Sequence, residues 1–388
     1  MNQPHHHETK PEPSRRALYL GASGVAAVIC VILAIVAPKQ FWPGYLVAVN
    51  FWVSIALGCL GISLIHAIAG GRWGYALGRG LQAGAATLPL VLASGLLLCI
   101  GATYVFPWAR HEFANPNQAV FLAPWTVLIR YIVLSLTWIG TAVWLRRIYI
   151  REAADRRKVP PQGLAGAAML LFFLTVSCAS VDFIMALSPG WASSIFPLIR
   201  LLNCAVSAMA IIILSRLVHK NEPTHHRTDL THDAGNWLQA FNLLWTYLTF
   251  DQFILIWGAD IPFEVQYYVD RHTFFGRLGS VALFLFHWLI PFLLLLYRPL
   301  KKSYRALPIV ASLLLFMCFI DICWVTLPSI HGTNAVAFLS GLVSVVLIGG
   351  IWLVEYSRQY AKLPDMTVAE LHGAHNHAHD VHHAGETV

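Results

Sequence analysis

Eight ionisable side chains stand inside long apolar stretches of this sequence: Asp182, Asp251 and Asp321, Arg130 and Arg200, His66 and His287, and Glu355. Ionisable groups are costly in a hydrocarbon environment, which makes each a candidate for function. Two arginines among three carboxylates would hold some of the acids ionised, an arrangement suited to proton transfer beside a redox ligand. Tyr247 lies four residues before Asp251 and shares its helix face. Pro291 follows His287 by four, so it cannot donate to the His287 carbonyl. That predicts a kink and a free acceptor beside an imidazole. The plain alternative is helix–helix glue, with Arg–Asp pairs that hold a bundle and a proline that bends it.

The elements that position these groups are apolar helices. Only 12% of the 388 residues are charged, whereas 57% are hydrophobic, and the formal net charge is +7. So few charges cannot cover a soluble surface. Ten apolar runs of 18 or more residues predict ten transmembrane helices, at about 17–37, 43–69, 81–106, 122–145, 162–187, 194–218, 236–257, 274–297, 304–327 and 335–357. No run alternates with period two over about ten residues, which excludes a transmembrane β-barrel. The fold class is therefore all-α and integral to a membrane. A polar tail over 1–16 precedes the membrane domain at 17–357, and a His-rich tail over 358–388 follows it.

Basic residues set the orientation. Of the 26 Lys and Arg residues, 20 fall in the two tails and the even-numbered loops. Only Lys39, Arg110, Arg271 and Arg277 fall on the other side. Both termini are thereby expected in the cytoplasm, in the inner (cytoplasmic) membrane. Asp182, Asp251, Asp321, Arg130 and Arg200 then share the outer half, His287 lies near mid-membrane, and His66 and Glu355 lie toward the inner ends. Ser14-Arg15-Arg16 before the first run resembles a twin-arginine signal. An uncleaved first span with anchoring charges fits better, because nine further spans need insertion rather than export.

Several chemistries are absent. The basic residues sit between apolar runs, so the charge does not mark a nucleic-acid binder. All seven Cys lie within predicted spans, without a CxxCH haem motif or an iron–sulfur spacing. There is no GxxxxGK[ST] phosphate loop. His5-His6-His7 and the C-terminal imidazoles at 372–383 could bind a transition metal, although a solvated tail is the simpler reading. No complete catalytic or metal-ligand set is legible.

An internal repeat is visible. Cys178-Ala-Ser-Val-Asp182 has Pro189 seven residues after its Asp, and Cys318-Phe-Ile-Asp321 has Pro328 at the same distance. Arg130 and Arg277 lie near the outer ends of spans four and eight. The expectation is two parallel four-helix bundles, spans 2–5 and 6–9, flanked by spans one and ten.

Five segments together carry a family resemblance: His66-Ala-Ile-Ala-Gly-Gly-Arg-Trp-Gly74, Asp182-Phe-Ile-Met-Ala-Leu-Ser-Pro-Gly-Trp191, Phe250-Asp-Gln-Phe-Ile-Leu-Ile-Trp257, Phe286-His-Trp-Leu-Ile-Pro-Phe292 and Asp321-Ile-Cys-Trp324. The chain resembles the NrfD/PsrC-like family of quinone-interacting membrane subunits, and within it the membrane subunits of alternative complex III. Three positions depart from the pattern. Asp251 stands where Ser is expected, Pro262-Phe263-Glu264 where Pro-Glu-Glu is expected, and Leu187-Ser188-Pro189 where Leu-Glu-Pro is expected. The resemblance implies a quinol:electron-acceptor oxidoreductase of a bacterial respiratory or photosynthetic electron transport chain. Haem c and iron–sulfur clusters would reside in periplasmic partner subunits, beside a paralogous ten-helix membrane subunit. This chain would carry no covalent cofactor. It would interact with quinone or quinol, move protons, or support assembly within the lipid bilayer.

Three other functions compete. A proton-coupled secondary transporter would suit the repeat and the embedded acids, but a parallel repeat without paired glycine-interrupted spans argues against it. A b-type cytochrome needs paired axial His, whereas His66 and His287 lie at different depths. A purely structural anchor would use the polar groups for packing alone.

Overall fold

A computed structural model describes residues 13–154, 161–218 and 224–364, with side chains described at 15–154, 161–215 and 230–364. The His-rich tails lie outside these residues, as do Arg156, Arg157, Lys158 and Lys220.

Ten long helices make up the fold: α1 (Pro13–Val36), α2 (Pro38–Ala69), α3 (Arg72–Cys99), α4 (Pro124–Ala154), α5 (Gln162–Phe183), α6 (Phe196–Val218), α7 (Thr224–Ala259), α8 (Phe274–Leu296), α9 (Ala306–Thr326) and α10 (Ala335–Ala361). No strand occurs among the described residues. Nine of the ten are long and apolar enough to cross a membrane, as a multi-pass membrane protein requires. The exception is α7, a 36-residue helix covering the predicted span 236–257. Gln239, Asn242, Asp251 and Gln252 dilute its apolar content, and two of these polar side chains turn out to be buried.

A second difference concerns Arg72 and Arg79. They were expected in a loop before a span at 81–106, but both lie on α3, which begins at Arg72. The link between α2 and α3 is only Gly70-Gly71, with φ of 67° and 100°. Glycine alone takes such angles without strain, so the chain reverses in two residues. Arg79 then caps the far end of α10, donating from Nε to the Tyr360 carbonyl at 3.0 Å, with its guanidinium 4.3 Å from the Tyr360 ring centre.

The centre of the fold is α2. It packs against α3, α4 and α5 on one side and against α6 and α10 on the other, with α9 also in reach. A second group forms as α6 contacts α7 and α9, while α8 touches α7 and α9. α1 lies on α10 and leaves most of its surface outward, including Val25, Val28, Val31 and Ile35. In a bilayer lipid solvates such side chains as well as a neighbouring helix does, so close packing and hydrogen bonds must supply the association.

Both are present along α2. A Cβ on Gly58 would strike the Cys204 carbonyl of α6. One on Gly44 would strike the Ala337 carbonyl and Ser340 hydroxyl of α10. Trp52 donates from Nε1 to the Val345 carbonyl of α10 at 3.0 Å, and Trp352 donates to Thr87 Oγ1 of α3 at 2.8 Å. Gly58→Val will force α2 and α6 apart at the contact that joins the two helix groups. A cost of about 3 kcal/mol is expected, read as a lower melting temperature and loss of the monodisperse species in detergent.

Candidate functional site

One half-buried ion pair, one buried ion pair and one apolar cavity form the candidate site. They gather toward the end of the bundle that carries the chain segments 100–123, 184–195, 260–273 and 327–334, here the loop-rich end.

The first pair is Arg130 on α4 with Asp182, near the last turn of α5. Arg130 Nε donates to Asp182 Oδ2 and Nη2 to Oδ1, both at 2.8 Å. Its third nitrogen, Nη1, donates to the Phe121 carbonyl at 2.8 Å, and the Phe121 ring lies 4.1 Å below the guanidinium. The planar fork suits this bidentate grip in a way that Lys would not. The second pair is Arg200, one turn into α6, with Asp321 on α9. Arg200 Nη2 donates to Asp321 Oδ2 at 2.6 Å, and Asn203 Nδ2 donates to the same oxygen at 2.7 Å. Arg200 is 5% exposed and Asp321 2%.

The charges therefore do not form the single cluster of three acids and two arginines that their shared depth suggested. Each arginine takes one aspartate. Asp251 joins neither pair and, among the described residues, has no hydrogen bond or ion pair. Tyr247, on the same face of α7, is 62% exposed and turns outward. The repeat is also imperfect. Arg277 was the expected counterpart of Arg130, yet it is exposed, while Asp321 faces α6 and takes its arginine from there.

His287 lies in a third polar group. It is fully buried on α8 and stacks on Trp245 of α7, with ring centres 3.8 Å apart. The break foreseen from Pro291 is real: residues Leu283–Leu289 wind as a π-helix. The carbonyl expected to be free is not, because Asn242 Nδ2 of α7 donates to it at 2.8 Å. Both ring nitrogens of His287 lack a protein partner, as does Asn242 Oδ1. His66 belongs elsewhere, near the Gly70-Gly71 turn. Its Nε2 lies 3.2 Å from the Gly71 carbonyl, and its ring meets Trp73 and Tyr75 edge-on. Glu355, at the same end, accepts from Gln359 and lies 3.5 Å from Arg358.

The cavity has a volume of about 300 Å³ and lies among α2, α3, α4, α5 and α6. Leu46, Val49, Asn50, Val53, Ser54 and Leu57 of α2 form one wall. Their spacing of three and four residues places them on one helix face. Leu92, Leu96, Val127, Trp138, Val176 and Phe183 contribute further apolar surface. Leu96, Cys99, Pro124 and Leu128 line the cavity and are exposed as well, so it reaches the outer surface between α3 and α4. Its far wall includes Arg200 and Asn203, the two residues that hold Asp321. The cavity of the first helix group thus ends on the ion pair of the second.

Arg271, in the 260–273 segment, is 2% exposed and closes the loop-rich end. Nε donates to the Trp324 carbonyl at 3.1 Å and Nη2 to the Val325 carbonyl at 2.7 Å and Ser329 Oγ at 3.1 Å, while Nη1 donates to the Tyr267 carbonyl. The Tyr267 ring lies 3.4 Å from its guanidinium and stacks on Trp191 with centres 4.0 Å apart. Burial pushes the Tyr267 and Tyr268 phenols up, so both stay protonated donors.

Sequence reading missed Asn203, Asn242, Trp245 and Arg271. Asn203 had a usable signal, a polar amide three residues from Arg200 on one helix face. Arg271 had none, because a loop arginine looks solvated until the loop folds back. Compared with known proteins, the chain matches no family model and no curated protein.

Proposed function

We propose that the chain is a membrane subunit of a quinol:electron-acceptor oxidoreductase of the alternative complex III type, similar to its ActF subunit. In this reading the ten helices all span the cytoplasmic membrane as two four-helix bundles with flanking first and last helices. Both termini are cytoplasmic, and the loop-rich end faces the periplasm. The subunit carries no resident redox cofactor. It presents a lipid-accessible cavity for a quinone or quinol and two Asp–Arg pairs for proton transfer, while partner subunits carry haem c and iron–sulfur clusters.

The observation that carries the reading is the cavity of about 300 Å³, which is mostly apolar, open at the surface between α3 and α4 and closed by Arg200 and Asn203. Pockets of this size suit a small ring system, with a few placed polar groups fixing its orientation. The two aspartates supply proton acceptors, and the arginines set when each is charged.

The test uses Asp182→Asn and Asp321→Asn in the assembled complex, with quinol oxidation and proton release measured together. A fall of about a hundredfold in either rate is expected, the lower range for a positioned proton-transfer group. Wild-type values for both would remove the proton role. Purification from native membranes without haem-bearing partners would remove the subunit assignment.

A further inference from the structure

Polar side chains along the cavity differ in what they have left to offer. Tyr131 donates its hydroxyl to the Leu92 carbonyl, Trp138 donates Nε1 to Thr175 Oγ1 at 2.9 Å, and Ser180 donates to the Val176 carbonyl at 2.9 Å. Asn50 gives its amide to the Leu46 carbonyl at 3.1 Å. Tyr131, Trp138 and Ser180 have thus used their only donors on the protein, and Asn50 one of its two. Arg200 and Asn203 are different. Each gives one donor to Asp321, and each keeps a buried atom without a protein partner, Nε of Arg200 and Oδ1 of Asn203. Asn203 is 1% exposed.

Chemistry settles which end of the Asn203 amide is free. Asp321 Oδ2 already accepts from Arg200 and, as a carboxylate, can only accept, so Asn203 must turn its NH2 toward it. The carbonyl end is then the unpaired one. The two residues are three apart on α6 and share a face. The two residues line the cavity and hold one free donor and one free acceptor just beneath its wall, within reach of an occupant once the side chains turn toward it. Trp108 Nε1, another unpartnered buried atom on the lining, adds a second donor.

We propose that Arg200 Nε and Asn203 Oδ1 form a head-group site that selects a hydroxyl over a carbonyl or ether oxygen. This rests on the reading of the cavity as a quinone or quinol site, and it makes the reduced carrier the preferred occupant. A hydroxyl accepts from Arg200 and donates to Asn203, meeting both groups. A carbonyl accepts from Arg200 or Trp108 but leaves Asn203 Oδ1 buried and unmet. An unmet buried acceptor disfavours the carbonyl ligand by about tenfold. Because both residues also hold Asp321, an occupant that engages them loads the same side chains that fix this carboxylate.

The test compares two redox-inert probes on the full chain in lipid nanodiscs: an alkyl-tailed naphthol and its methyl ether, which can accept but not donate. Quenching of tryptophan fluorescence reads binding. The naphthol is expected to bind about tenfold tighter than the ether. Asn203→Leu should bring the two within about twofold, chiefly by weakening the naphthol. Val53→Trp, which fills the cavity, should weaken both. Should Asn203→Leu fail to fold, the wild-type comparison still decides. Equal binding of the two probes by the wild type would overturn hydroxyl selection and leave the cavity reading intact. Absence of binding by either probe, or full retention of both in Val53→Trp, would overturn the cavity reading and the selection together.

Discussion

Arg200→Met will disable the chain more severely than loss of the whole Arg200–Asp321 pair. The single change leaves Asp321, 2% exposed, as a buried carboxylate whose strongest partner has gone. Removing one member of a buried pair costs about 3 to 5 kcal/mol, because the other charge stays desolvated and uncompensated. Asn203 still donates to Asp321 at 2.7 Å, but one neutral amide does not replace a guanidinium. The double variant Arg200→Met with Asp321→Asn removes both charges and should recover stability to within about 1 kcal/mol of wild type. Thermal unfolding in detergent of the two single variants and the double forms a cycle that isolates the pair. An Arg200→Met variant as stable as wild type would show that the pair does not hold the helices. Recovery of stability without recovery of the quinol oxidation proposed for the assembled complex would separate a chemical role from a structural one.

Arg271→Ala will open the loop-rich end above that pair. The residue serves four acceptors, on the 260–273 segment, at the end of α9 and in the turn beyond it. Hydrogen bonds from charged donors contribute about 1.5 to 3 kcal/mol each, and truncation leaves the carbonyls of Trp324 and Val325 without them. The ring stack of Tyr267 on Trp191 would also lose the guanidinium beneath it. A local loss of about 3 kcal/mol is expected, equivalent to a rise of roughly two orders of magnitude in transient opening. Cys323, buried one residue before Trp324, reports on it. Cys99 and Cys178 are exposed and must first be changed to Ser. A thiol-reactive probe should then label Cys323 far faster in Arg271→Ala than in the parent. Arg271→Lys should behave like the alanine variant, since an ammonium cannot fork to acceptors on three segments. Equal labelling in all three proteins would show that the end is closed by packing alone.

Much of this architecture was legible in the residues. The spans predicted at 162–187, 194–218, 274–297 and 335–357 lie within a few residues of helices α5, α6, α8 and α10, because a long apolar run has few alternatives to a helix. The break at Pro291 was equally legible, since a missing N–H is a local fact. What could not be read was the partner that answers it. Asn242 meets the His287 carbonyl across 45 residues of chain, which required α7 and α8 to be neighbours. The partner of Asp321 was hidden for the same reason. The repeat set Arg277 on α8 as the counterpart of Arg130, but Asp321 takes Arg200 of α6 and Arg277 stays exposed.

Residue types and spacing alone determined that the protein is a helical membrane protein with ionisable groups where hydrocarbon would otherwise be. Those properties follow from local chemistry, namely backbone satisfaction, side-chain transfer cost and the proline constraint. Only the tertiary structure decided that the charges divide into two Arg–Asp pairs rather than one cluster. It alone placed an apolar cavity among α2–α5 against Arg200 and Asn203 of α6, and left one donor and one acceptor there unspent. Such facts depend on how each helix is rotated against its neighbours. In a bilayer that rotation is set by close contacts such as Gly58 against Cys204, not by a hydrophobic pattern along any one segment.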